Sequence, residues 1–126
     1  MKQAISTSQA PGAIGPYSQG VVAGDYVYVS GQLPIDVATG AFAGEDISSQ
    51  TRQSLINVEA ILKEAGCTMN DVVKATVLLN DINDFGGMNE VYNTFFDAPY
   101  PARAAFAVEA LPKLALIEIE VIAYKK

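Results

Sequence analysis

Two stretches decide the fold of this chain: Tyr100-Pro-Ala-Arg-Ala-Ala-Phe-Ala-Val108 and Leu116-Ile-Glu-Ile-Glu-Val-Ile-Ala123. In the second stretch aliphatic residues alternate with Glu118 and Glu120, and a period of two places both acids on one face of a β-strand. The acidic face also carries apolar side chains, so it is mixed. The pattern predicts a strand with one face in the core and the other covered by a second subunit or lining a pocket.

The first stretch places one arginine, Arg103, at the head of an apolar run. A guanidinium stays protonated and offers a planar fork that matches a carboxylate. A charge at the edge of a core usually has a partner, either internal or brought by a ligand. Two interpretations therefore stand: Arg103 binds a ligand, or it belongs to a structural ion pair beside a solvated strand face. The ion pair is the commoner arrangement for such a pattern.

Composition limits the kinds of partner. The chain has 126 residues, of which 50% are hydrophobic and only 17% charged. This length suits one domain, residues 1–126, that buries roughly two-thirds of its unfolded surface. The thin polar coat favours an oligomer. The net charge is −6 and the 8 basic residues are scattered, so nucleic acid is not an expected partner.

The chain contains no histidine and a single cysteine, Cys67. These counts exclude Ser-His and Cys-His triads, histidine metal sites and an internal disulfide. A lone cysteine suits a reducing compartment, and the N-terminus has no long apolar run, so we expect a cytoplasmic protein without a signal peptide or membrane span. Any chemistry must use carboxylates, Arg, Lys, Tyr, Ser or Thr hydroxyls, or backbone groups.

The N-terminal half contains a loop and a strand end of interest. Residues 10–17 form a loop with two prolines and two glycines that ends at Tyr17. Tyr17 either anchors the loop by packing its ring, which the pattern slightly favours, or presents its hydroxyl at a site. Strands are predicted at 18–23 and 26–30, joined by a turn at 24–25. Gly31 then indicates a β-bulge or, less strongly, a close approach of backbone to another chain or ligand.

Two helices are predicted. The first has Ser48 as its N-cap and stops at Gly66. Its apolar stripe consists of Thr51, Leu55, Val58, Leu62 and Ala65. The residues expected to face away from the core are Gln50, Gln53, Asn57 and Lys63. The second helix has Asp84 as a candidate cap and a stripe of Phe85, Met88, Val91, Tyr92 and Phe95. Residues 33–44 are expected to be irregular.

The element order is ββ(β)-α-β-α-β-β, which predicts an α+β fold. A few strands interspersed with two helices indicate a mixed sheet with both helices packed on one face. The opposite face carries Tyr and Glu as well as aliphatic residues. We therefore expect sister subunits to cover it.

Several segments together resemble the RidA family (reactive intermediate deaminase, formerly YjgF) from about residue 5 to 124. They are Ala13-Ile-Gly-Pro-Tyr-Ser-Gln19, Val29-Ser-Gly-Gln32, Gln53-Ser-Leu-Ile-Asn-Val58, Asp81-Ile-Asn-Asp-Phe85, Pro101-Ala-Arg-Ala-Ala105, Leu111-Pro-Lys113 and Ile117-Glu-Ile-Glu120. The combination of Pro-Ala-Arg, Ile-Glu-Ile-Glu and Ile-Gly-Pro-Tyr is specific, whereas each motif alone is weak.

The resemblance implies a chorismate-mutase-like homotrimer with clefts at its subunit interfaces. It implies hydrolysis of 2-imino or enamine acids, such as 2-iminobutanoate and 2-iminopropanoate, to 2-keto acids and ammonia. Arg103 would bind the substrate carboxylate, Glu118 would position and activate water, and Tyr17 would line the cleft. The reaction needs no metal and no cofactor.

The resemblance also places Ser30, Gly31 and Phe85 near the cleft. Ala105 falls where many members carry cysteine, and the backbone carbonyl there contacts the substrate nitrogen. Alanine should permit deamination, but it puts thiol-based regulation in doubt. Two alternatives remain: a non-catalytic module that binds small keto acids or similar carboxylates in the same cleft, and a protein- or RNA-interacting factor with ribonuclease activity. The acidic composition argues against the second alternative.

Overall fold

A computed structural model describes residues 1–125, which form eight strands and two helices. They are β1 (Gln3–Ile5), β2 (Gly20–Ala23), β3 (Tyr26–Gln32), β4 (Ile35–Asp36), β5 (Ala41–Phe42), α1 (Ile47–Glu64), β6 (Val72–Leu79), α2 (Phe85–Phe95), β7 (Ala102–Ala107) and β8 (Ile117–Tyr124). Short 3₁₀ turns at Met69–Asp71, Ile82–Asp84 and Pro112–Leu114 join some of them. No helix in this described part is long and apolar enough to cross a membrane.

The main sheet is mixed, as predicted, with the strand order β1-β2-β3-β8-β6-β7. Its neighbours are antiparallel except for β6 and β7, which run parallel. The predicted turn between β2 and β3 is present, with Gly24 at φ +60°. The prediction that residues 33–44 are irregular is wrong in part, because β4 and β5 pair there as a small separate hairpin.

Both helices pack on one face of the main sheet, which confirms the predicted α+β architecture. The sheet contributes buried side chains at alternate positions because successive residues of a strand point to opposite faces. From the strands these are Val27, Val29, Ala75, Val77, Leu79, Ile117, Ile119 and Val121. They meet α1 through Leu55, Val58, Ile61 and Leu62, and α2 through Met88 and Tyr92.

Helix α1 corrects two predictions. Its N-cap is Asp46, not Ser48: the Asp46 carboxylate accepts a hydrogen bond of 2.9 Å from the backbone N–H of Ser49. Gln50 and Asn57 do not face away from the core, because both are buried. The Asn57 amide donates to the backbone carbonyls of Leu33, just before β4, and Ile35, the first residue of β4, at 3.1 and 2.9 Å.

Gln50 joins three parts of the chain. Its amide nitrogen donates to the Gly44 carbonyl at 2.9 Å, and its side-chain oxygen accepts from the backbone N–H of Leu116 at 2.9 Å. A buried amide with both ends satisfied carries no desolvation penalty for an unpaired group. Gln50 thus ties the first turn of α1 to the residue that precedes β8.

Asp84 is the N-cap residue of α2, as predicted, but the capping hydrogen bond of a side chain comes from another residue. Asp84 precedes α2 but makes no capping hydrogen bond with its side chain. Instead the carboxylate of Asp81 accepts from the backbone N–H of Asn83 at 2.9 Å, at the start of the 3₁₀ turn that leads directly into α2. The cap lies one turn earlier because the 3₁₀ turn extends the helical segment toward its N-terminus.

The face of the sheet that carries no helix is rich in aromatic side chains. Tyr26, Tyr28, Phe106 and Tyr124 are each 39–47% exposed in the single chain. Tyr26 and Tyr124 pack edge to face, with ring centroids 5.4 Å apart. Subunit association through this open face stays a prediction.

Candidate active site

The register of three strands places Arg103 and Glu118 on opposite faces of the sheet. Ala75 of β6 pairs with Arg103 of β7 on one side and with Val121 of β8 on the other. Residues paired side by side point to the same face, so Arg103 and Val121 both face the helices. Glu118 is an odd number of residues from Val121 and faces the open side. Within one chain the two side chains do not converge.

Glu118 belongs to a cavity of about 770 Å³ on the open side. Its lining includes four of the residues singled out in the sequence: Tyr17, Ser30, Gly31 and Glu118. The ring of Tyr17 is 53% exposed, so it does not anchor the loop by burial. Tyr17 instead lines the cavity.

Gly31 allows Glu118 to reach this position. The register of β3 against β8 shifts between Val29 and Gln32, which is the bulge that the sequence indicated. A Cβ atom at position 31 would lie 2.0 Å from Oε2 of Glu118, far closer than any real contact. The group that approaches the Gly31 backbone closely is therefore the Glu118 carboxylate.

The Glu118 carboxylate is half-buried, and its environment disfavours the charged form. Burial raises the pKa of the Glu118 carboxyl above its ordinary range, and the charge of Glu120 raises it further. A carboxylate with a raised pKa is a better proton acceptor than one in bulk water. This is the property expected of a group that activates water.

The loop before β2 is held by a residue that the sequence analysis did not assign. Gln19 is buried, and its amide nitrogen donates to the carbonyls of Thr7, Ala10 and Pro11 at 2.7–3.2 Å. Its side-chain oxygen accepts from the Thr7 N–H at 2.7 Å. The Ser30 hydroxyl donates to the Ser18 carbonyl at 2.6 Å. This bond joins the backbone directly after Tyr17 to β3.

Arg103 lies on the helix side, at the edge of the sheet. Its Nη1 donates to Oδ1 of Asn89 at 2.7 Å. Its guanidinium carbon is 4.8 Å from the ring centre of Tyr92 and 5.4 Å from that of Phe85. Among residues 1–125 the hydrogen-bond partner of its side chain is Asn89 and not a carboxylate, so the described chain offers no support for the structural ion-pair interpretation. Asn89 and the two rings hold the guanidinium while leaving much of its donor capacity free.

A second cavity, of about 370 Å³, is lined by Arg103 together with Asn89, Tyr92, Asn93 and Tyr100. Ala105 follows on the same face of β7, where it is half-buried against the core. Asn89 was missed by the sequence analysis. Its only signal is its position, one helical turn after Phe85, at the exposed border of the apolar stripe of α2.

The predicted site residues therefore form two groups. Tyr17, Ser30, Gly31 and Glu118 share the cavity on the open side. Phe85 and Ala105 accompany Arg103 at the edge on the helix side. Among residues 1–125 no group of three or more Cys, Asp or Glu side chains is placed to hold a metal ion.

Comparison with known proteins identifies the family. The family model described as endoribonuclease L-PSP matches residues 7–125. A RutC family protein of Pyrococcus horikoshii is 54% identical over 126 residues, covering 100% of both chains. The 2-iminobutanoate/2-iminopropanoate deaminase of Bos taurus is 50% identical over 123 residues, covering 98% of this chain and 90% of the relative. This chain belongs to the RidA family, as the sequence motifs indicated.

Solved structures agree with the family membership of this RidA protein. The crystal structure of Escherichia coli TdcF with bound serine superposes with a TM-score of 0.94 at 47% identity, covering 98% of this chain and 99% of that one. That neighbour binds a small amino acid.

Proposed function

We propose that this protein hydrolyses 2-imino and enamine acids, including 2-iminobutanoate and 2-iminopropanoate, to 2-keto acids and ammonia. One observation carries the proposal: Arg103 is fixed by Asn89 and two aromatic rings yet has no carboxylate partner in the described chain. A fixed guanidinium with free donors is suited to bind the carboxylate of a ligand by two parallel hydrogen bonds. The name of the bovine relative supports the choice of imine as the substrate.

The chemistry asks little of the protein. An imine carbon is already electrophilic, so water adds to it once a base takes a proton from the water. Glu118 is that base: its raised pKa suits proton transfer, a contribution worth about 10²–10⁴-fold. The proton that Glu118 takes from the water is returned to the imine nitrogen, so that one tetrahedral carbon carries a hydroxyl and an amino group. As the C–N bond breaks, the hydroxyl proton passes through Glu118 to the nitrogen, which leaves as ammonia, and the carbon–oxygen double bond of the keto acid forms. Arg103 holds the carboxylate throughout, and Tyr17 lines the cavity.

The site is completed by subunit association. Arg103 and Glu118 face opposite sides of one sheet, so a substrate that touches both lies between two copies. We propose a homotrimer in which Arg103 of one subunit and Glu118 of its neighbour form each site. The exposed rings of Tyr26 and Tyr28 would become buried in this assembly, since aromatic side chains favour interface cores.

The first test couples the protein to a serine/threonine dehydratase that releases 2-aminoacrylate or 2-iminobutanoate. Keto acid formation is followed against the uncatalysed background for the wild type, Arg103→Ala and Glu118→Gln. We expect acceleration by the wild type and its loss in both variants. Equal rates with and without a folded wild-type protein would refute the deaminase.

A second test asks whether the site spans two subunits. Arg103→Ala and Glu118→Gln chains are co-expressed in equal amounts, and the mixed protein is compared with each variant alone. Random mixing should restore about one quarter of the wild-type activity, since about three quarters of the trimers contain both variants and each of these has one complete site in three. No recovery in mixed oligomers of proven composition would place the whole site within one subunit.

Two other functions are outcomes of these tests. A binding module for small keto acids would bind ligand in calorimetry, with loss in Arg103→Ala, but would not accelerate hydrolysis. The description of the family model names an endoribonuclease, whereas a net charge of −6 disfavours contact with a polyanion. RNA cleavage by nuclease-free protein that disappears in Arg103→Ala would favour that activity. We propose a cytoplasmic location for the deaminase and no cofactor.

A further inference from the structure

The cavity that contains Arg103 has a second polar contact between α2 and the chain before β7. The hydroxyl of Tyr100 donates to Oδ1 of Asn93 at 2.9 Å. It lies beside the bond from Arg103 to Asn89, and all four residues line the same cavity. Two asparagines of one helix are thus each oriented by a donor from the neighbouring segment.

The spacing of the two asparagines sets a distance within the cavity. Positions 89 and 93 are four apart on α2, so their side chains are neighbours on one face, about 5–6 Å apart at Cβ. Asn89 contacts the Arg103 guanidinium, which is proposed to hold the substrate carboxylate. Asn93 therefore marks a point about one helical turn farther along the same wall.

Asn93 is exposed, and its amide can form further hydrogen bonds at that point. Its oxygen is occupied by the Tyr100 hydroxyl, which orients the amide and turns its two N–H donors away from that bond. In the part of the chain that the structure describes, no acceptor receives either donor. The cavity wall thus offers neutral N–H donors in the same cavity as the Arg103 guanidinium.

We propose that Asn93, oriented by Tyr100, is a specificity-determining residue that favours imino acids whose neutral side chain ends in a hydrogen-bond acceptor, such as a carboxamide. This inference rests on the proposed deaminase function and names a substrate class for the same site. With the carboxylate on Arg103, a side chain of about four heavy atoms could bring its terminal oxygen to Asn93, because Arg103 and Asn93 line the same cavity. An aliphatic side chain of equal length would cover the Asn93 donors without satisfying them.

The neutrality of the pair argues for a neutral ligand group. Asn93 and Tyr100 carry no charge, so they offer no compensation for a second carboxylate. The acidic balance of the whole chain, net −6, adds a general repulsion toward dianionic ligands. A carboxamide needs only the hydrogen bonds that Asn93 offers.

The test uses the intact protein and two imines of similar size. An L-amino-acid oxidase with catalase generates the imines of glutamine and methionine, and semicarbazide traps the fraction that has not hydrolysed. We expect the wild type to show a higher kcat/KM for the glutamine-derived imine. Asn93→Leu should lower the ratio of the two kcat/KM values about fivefold to tenfold, mainly through KM for the glutamine-derived imine. Tyr100→Phe keeps the ring and removes the orienting hydroxyl, so it should lower the ratio to an intermediate value.

A matched control is Glu90→Leu, the same change to leucine at an exposed position of α2 outside the cavity. It should leave the ratio unchanged. If all three variants fold and accelerate both reactions with the wild-type ratio, the specificity proposal is overturned while the deaminase stands. If the wild type accelerates neither reaction, nor that of the dehydratase-derived imine, both proposals fall together.

Discussion

A single methyl group at position 31 should disable Glu118 without removing it. In Gly31→Ala the new Cβ would lie 2.0 Å from Oε2, 2.8 Å from Cδ and 3.1 Å from Cγ of Glu118. The carboxylate must retreat until the nearest contact reaches an ordinary 3.4 Å, a displacement of about 1.4 Å. The backbone of Gly31 is not at positive φ, so alanine adds no backbone strain there. The change therefore acts on the position of one side chain.

The size of the effect follows from the displacement. Moving a reacting group by about 1 Å costs about 100-fold in rate. We expect kcat for 2-iminobutanoate to fall about 100-fold. KM should change little, because the substrate carboxylate binds to Arg103 of β7, which the substitution does not touch. The assay is the dehydratase-coupled measurement of keto acid, with the thermal midpoint measured in parallel.

The control and the refuting result are both direct. Gly86→Ala is the same substitution at a position in α2 where a Cβ meets no atom within 4 Å, and it should keep full activity. The double variant Gly31→Ala/Glu118→Gln should be no slower than Glu118→Gln alone, because both changes remove one function. A Gly31→Ala protein with the wild-type kcat would refute the role of a precisely placed Glu118 carboxylate.

Three further predictions concern the site and the core. Because the folded-state pKa of Glu118 is raised, the folded protein binds the proton more tightly than the unfolded chain. The free energy of unfolding of the wild type, relative to that of Glu118→Gln, should therefore fall as pH rises from 4.5 through the raised pKa and then level off. Urea titrations at several pH values measure this difference, and a difference independent of pH would contradict the prediction. Arg103→Lys keeps the charge but loses the fork, so KM for 2-iminobutanoate should rise about tenfold or more, and an unchanged KM would argue against carboxylate binding there. Asn57→Leu leaves two partly buried carbonyls without their protein donor and should lower the free energy of unfolding by about 1–3 kcal/mol in urea; a loss below about 0.5 kcal/mol would show that water replaces the amide.

The sheet could be predicted from sequence because its signal is local. Alternation in β8 marks the buried face from neighbouring residues alone, and the positions of Ile117 and Ile119 in the core followed directly. The stripes of α1 and α2 have the same local origin. The grouping of Tyr17 with Glu118 came from the family resemblance and not from periodicity.

The remainder depends on contacts between distant segments. Gln50 and Asn57 look solvent-facing because amides usually are, and only the folded chain brings unpaired backbone groups against them. Likewise no periodicity reveals that Arg103 and Glu118 face opposite sides, because that relation passes through the register of β6. A one-residue change in that register would reverse it.

The hydrogen bond between Gln50 and Leu116 bears on which of two arrangements the last strand adopts. An alternating strand can slip by one residue and keep its backbone ladder, but the slip would turn Glu118 and Glu120 into the core and Ile117 outward. The Gln50 oxygen, fixed by α1, accepts from the N–H one residue before β8 at 2.9 Å. A slipped strand would present the wrong backbone group to it. Gln50 thus favours the single alignment of β8 that keeps the Glu118 carboxylate out of the core and on the open face of the sheet.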